Sequence, residues 1–82
     1  MALAYAVVFA DSRLYDQHTR ETVEAAQREA DKQFERVAQE SRKTLVTRNP
    51  EPRVMTWPEM RKLAPQANLE GLVGLYFTAD IS

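Results

Sequence analysis

Residues Leu3–Ala10 (LAYAVVFA) alternate with period 2 and carry no polar side chain on either face. Leu3, Tyr5, Val7 and Phe9 fall on one side, and Ala4, Ala6, Val8 and Ala10 on the other. Such a segment reads as a β-strand that needs cover on both faces, which usually means a central place in a sheet. That is a demanding element for a chain of 82 residues. A domain of this size buries only about 60–65% of its unfolded surface. The strand therefore constrains everything that follows: the remaining residues must cover it, or another molecule must.

The cover available is mainly helical. From Thr19 to Lys43 there is no Gly or Pro, and Glu, Gln, Ala, Arg and Lys dominate. Val23, Ala26, Ala30, Phe34, Val37 and Ser41 recur at steps of three and four, a narrow apolar stripe along one helix face. Glu21 and Glu24 near the start, with Arg42 and Lys43 at the end, suit the helix dipole. Such a helix is about 37 Å long and overhangs a strand of about 26 Å. Between strand and helix, Asp11-Ser12 breaks the apolar pattern and suits a turn or a cap.

Downstream, Thr44–Arg48 and Arg53–Trp57 are β-prone runs around Asn49-Pro50-Glu51-Pro52, and we read them as a hairpin. Continuation of the long helix to Thr47 is disfavoured by the β-branched residues. Residues 58–64 read as a short helix, with Pro58 in the first turn and Pro65 as the stop. Leu69–Ala79 returns to strand, with Val73, Leu75 and Phe77 on one face and Leu72, Gly74, Tyr76 and Thr78 on the other. Gly71 and Gly74 mark a bulge or a close backbone approach. The order β-α-β-β-α-β is that of a ferredoxin-like sandwich, an α+β fold with both helices on one face of an antiparallel sheet. One domain, residues 1–82, is expected.

The two helices of that fold leave the other sheet face bare. Tyr5, Val7, Phe9, Trp57 and Tyr76 are thus the expected apolar interface, and a twofold homodimer is the expected form. Charge is uneven beneath a net −1: residues 11–41 hold eight acids and five bases, and residues 42–62 hold six bases and two acids. Arg42, Lys43, Arg48, Arg53, Arg61 and Lys62 form a candidate electropositive surface for an acidic protein or for phosphate. Single-stranded nucleic acid stacked on the sheet aromatics is an alternative ligand.

Chemistry is sparsely represented. The chain has no cysteine and one histidine, which excludes disulfides, thiolate metal sites and cysteine nucleophiles. Asp16 and His18 lie after the first strand, where an acid–base pair of a small dimeric enzyme could form. Their plainer role is the start of the helix. No phosphate loop, dinucleotide fingerprint or HExxH motif occurs. No catalytic residue, metal ligand or cofactor is assigned. The apolar start, Met1–Ala10, lacks a basic leader and is too short to span a bilayer. We therefore expect a cytoplasmic interaction module, an adaptor or small inhibitor of a larger protein or nucleoprotein assembly.

Overall fold

The computed structural model describes residues 2–42, 45–49 and 51–81. In chain order the elements are β1 (Ala2–Asp11), α1 (Ser12–Gln17), α2 (Thr19–Glu40), β2 (Val46–Arg48), β3 (Arg53–Val54), α3 (Trp57–Leu63) and β4 (Leu72–Ile81). The four strands make one open antiparallel sheet in an α+β arrangement. β4 is the central strand, with β1 on one side and β2 and β3 on the other. The ferredoxin-like order is not adopted. The first strand, expected at the centre, forms an edge.

Among the described residues β2 and β3 do not pair with each other, so the expected hairpin is not formed there. β2 and β3 both run antiparallel to β4, so the chain from Val46 to Val54 continues in one direction along a single edge. Arg48 stands opposite Ala79 and Arg53 opposite Tyr76, so the edge holds two more residues than β4 in this interval. Within this interval the Asn49 N–H still bonds the Thr78 carbonyl at 3.0 Å. Pro52 is acceptable on this edge because an outer N–H position needs no partner, and Pro50 lies outside the described residues. β1 and β2 are consequently parallel to each other with β4 between them, and α2 makes the crossover: a split β-α-β unit.

α2 ends at Glu40, three residues earlier than its expected limit of Lys43, and Arg42 takes a left-handed φ of 55°. Lys43 and Thr44 lie outside the described residues. An additional short helix, α1, precedes α2. Asp11 caps it, its side chain accepting from the Arg13 N–H at 2.8 Å, and His18 (φ −134°, ψ 51°) separates α1 from α2.

The helices cover opposite faces of the sheet, not the same one. Ala26, Ala30, Phe34 and Ala38 of α2 pack on Ala4 and Ala6 of β1 and on Leu75, Phe77, Ala79 and Ile81 of β4. Alanines on both sides let helix and sheet approach closely, and Phe34 fills the space between them. On the other face, α3 and the chain that follows it place Met55, Met60 and Leu69 against Val7, Phe9, Leu72 and Tyr76. Gly74 permits this packing: a Cβ there would lie 3.0 Å from Met60 Cγ and 3.1 Å from Met55 Sδ. The second cluster is small because α3 has only seven residues. It covers the Phe9 end of the outer sheet face and leaves the Leu3 end uncovered.

Candidate functional site

The uncovered end is built by the period-2 alternation of β1 and β4. Leu3 is opposite Asp80, Tyr5 opposite Thr78 and Val7 opposite Tyr76, and all six side chains share the outer face. Leu3 is 78% exposed and Tyr5 58%. The Tyr5 and Tyr76 rings stack diagonally across the two strands, centroids 5.2 Å apart and planes 15° from parallel. The Arg53 guanidinium lies 4.9 Å over the Tyr76 ring. It is held there by both carboxylate oxygens of Glu59, at 2.9 and 3.1 Å. Asn49 donates to the Thr78 hydroxyl beside this group. The result is a mixed platform: Leu3, Tyr5, Val7 and Tyr76 supply apolar surface, Thr78 and Asp80 of the central strand are polar, and Arg53, Glu59 and Asn49 border it on the β2/β3 side.

The platform continues to a sheet edge. Among the described residues β1 pairs with β4 alone. The N–H groups of Asn49 and Met55 bond the carbonyls of Thr78 and Gly74, so the even-numbered residues of β4 direct their backbone groups toward β2 and β3. Its odd-numbered residues therefore face β1, where their partners are Ala4, Ala6 and Val8. Leu3, Tyr5, Val7 and Phe9 are left with their N–H and C=O groups on the outer edge. The Gln33 amide, reaching the Val7 carbonyl from that side at 3.5 Å, is a marginal partner for this row.

The apolar residues expected at an interface divide accordingly. Tyr5 is exposed on the platform, Tyr76 is half-buried beneath Arg53, and Val7 and Phe9 are half-buried against the second cluster. Trp57 opens α3 and is 52% exposed. The basic residues are dispersed. Arg48 faces α2 and lies 3.0 Å from Asp31, whereas Arg53 is on the opposite face with Glu59. Arg61 and Lys62 are exposed in the last turn of α3, and Arg42 follows α2. Lys43 lies outside the described residues. Sequence reasoning missed Leu3 as an exposed residue and missed the β1 edge. No sequence signal marks this edge: the uncharged run from Ala2 to Ala10 points to a central strand, since a protected edge strand normally carries a charge or a proline.

Asp16 and His18 are both exposed and make no mutual hydrogen bond among the described residues. Asp11 is engaged elsewhere. Hydrogen bonds from the Arg13 guanidinium and then from its N–H hold the Asp11 carboxyl below its usual range and keep the Arg13 charge in place. No group of three or more His, Cys, Asp or Glu able to hold a metal ion occurs among the described residues. No described helix is long and apolar enough to cross a membrane. Comparison with protein-family models, curated proteins and solved structures yields no significant match.

Proposed function

We propose that this protein is a small, non-catalytic interaction module of the cytoplasm that associates as a homodimer. It acts by occupying the surface of a larger protein or nucleoprotein assembly, as an adaptor or an inhibitor. The observation that carries the proposal is the uncovered sheet platform of Leu3, Tyr5 and Tyr76. Stacked tyrosines on a rigid sheet, beside an arginine held by Glu59, are residue types enriched at protein interfaces, and the exposed Leu3 adds apolar area beside them. The ordering cost of binding through such a surface is low because the rings are already stacked and the guanidinium already held. The test is the mass in solution at low micromolar concentration, before and after Leu3→Ser. We expect two chains for the wild type and a shift to one chain for the variant. A single chain in both cases overturns the homodimer.

The same platform supports a second reading, single-stranded nucleic-acid binding, on one observation: a stacked tyrosine pair with a guanidinium over one ring resembles a base-stacking surface in composition. The ion pairs of Arg48 and Arg53 and the net charge of −1 weigh against it. Anisotropy of a fluorescein-labelled single-stranded oligonucleotide decides between the two. Binding that weakens with salt and is lost in Tyr5→Ala and Arg53→Ala would replace the protein-partner reading. Absence of binding at low salt would remove the alternative.

A further inference from the structure

We infer that β1 is completed by the β1 of a second copy, paired antiparallel about a twofold axis at Ala6. This rests on the homodimer reading and names the surface that makes it. Four features select this edge and this occupant.

The first is the edge itself: ten residues long, with neither charge nor proline before Asp11, and with the N–H and C=O groups of Leu3, Tyr5, Val7 and Phe9 directed outward. Edges of this kind pair unless something blocks them. The second is register. Outward groups must meet outward groups, so odd residues oppose odd residues. With Ala6 on the axis, Leu3 meets Phe9 of the second copy and Tyr5 meets its Val7. The two most exposed side chains of the platform then lie beside half-buried apolar ones, and each pair exchanges both N–H···O=C bonds.

The third feature is the groove beside the C-terminal half of the edge. A cavity of about 430 Å³ there is lined by the apolar Val8, Phe9 and Leu14 and by the acidic Asp11, Glu21 and Glu29 among others. In this register the second copy's Leu3 and Ala4 run along that groove, and Ala4 is small enough to seat beneath α2. The fourth is the position of the helices. α2 lies over β1 and β4, so a twofold axis at Ala6 sets the two copies of α2 on the same face of the joined sheet, next to each other. Near the axis the helix presents uncharged Gln33, which gives up its long contact with Val7. An overlap of about 30 Å, roughly 20 Å deep from platform to helix, buries about 1,200 Å² in total, the lower limit of a specific stable interface.

The test combines mass and cross-linking on the full chain. Tyr5→Pro and Tyr5→Ala both remove the ring, but only proline removes the outward N–H, which no bond among the described residues uses. We expect Tyr5→Ala to weaken the dimer and Tyr5→Pro to weaken it at least tenfold more, with unchanged far-ultraviolet circular dichroism. Independently, Tyr5→Cys protein mixed with Val7→Cys protein should form a disulfide-linked pair on mild oxidation, since opposed residues lie about 5.5 Å apart. Either variant alone should link poorly, because same-residue pairs are diagonal at about 7–8 Å. A wild-type mass of two chains with neither the proline effect nor the mixed cross-link overturns the edge pairing and leaves the homodimer reading intact. A wild-type mass of one chain overturns both.

Discussion

At Gly74 the absence of a side chain is what lets two methionines reach the sheet. Its backbone has an ordinary φ, so the argument is one of space: a Cβ would press on Met60 Cγ at 3.0 Å and on the Met55 Cβ at 3.2 Å. Gly74→Ala should therefore destabilise the domain by about 1–3 kcal/mol, the usual cost of overpacking, and thermal denaturation checks it. Gly71 differs. It has φ 77° and open space around the Cβ position, so a substitution there is strained by backbone conformation alone. Asp11 supplies a pH-dependent contribution at the start of α1. Its carboxyl is held below the usual range by Arg13, so its stabilising effect is present above the unfolded carboxylate value of about 3.9 and is lost as pH falls through the lower folded value. Asp11→Asn keeps a capping side chain and removes the charge. The variant should match wild type more closely below pH about 3 than at pH 7 in thermal melts, through loss of this ionisation.

Among the elements, α2 is the one whose sequence was most readable. Its stripe placed Ala26, Ala30 and Phe34 correctly in the core. The stripe omits Ala38, which is buried, and includes Ser41, which is exposed. Phe34 is the only large side chain that α2 buries, so Phe34→Ala should cost about 3–5 kcal/mol and leave a domain of this size barely folded. Urea denaturation gives the number. α1 was not foreseen because Asp11-Ser12 serves a turn and a helix cap equally well. The strand order was not legible either. Both long strands are apolar on both faces, so periodicity could not decide which is central. Asn49–Pro52 could close a hairpin or swell an edge, and the choice depends on a non-local bond from Asn49 to Thr78. The candidate site was half readable for the same reason. Tyr5 and Tyr76 were recognised as interface residues from alternation, but their neighbours depend on where α3 lands.

For the molecule as a whole, three strands' width of sheet is covered by one long helix on one face and by one short helix on part of the other. Leu3, Tyr5 and the outer row of β1 remain open, as does Val54 of β3. A second copy paired along β1 converts two edges into one continuous sheet and sets the platforms side by side, giving a partner a surface twice as long. The proposal that this chain works by docking therefore depends on its own association. Sedimentation of the wild-type protein at low micromolar concentration measures this most directly. A homodimer sediments as a species of twice 9.4 kDa; a particle of one chain's mass, unchanged as concentration rises into the tens of micromolar, would contradict the pairing.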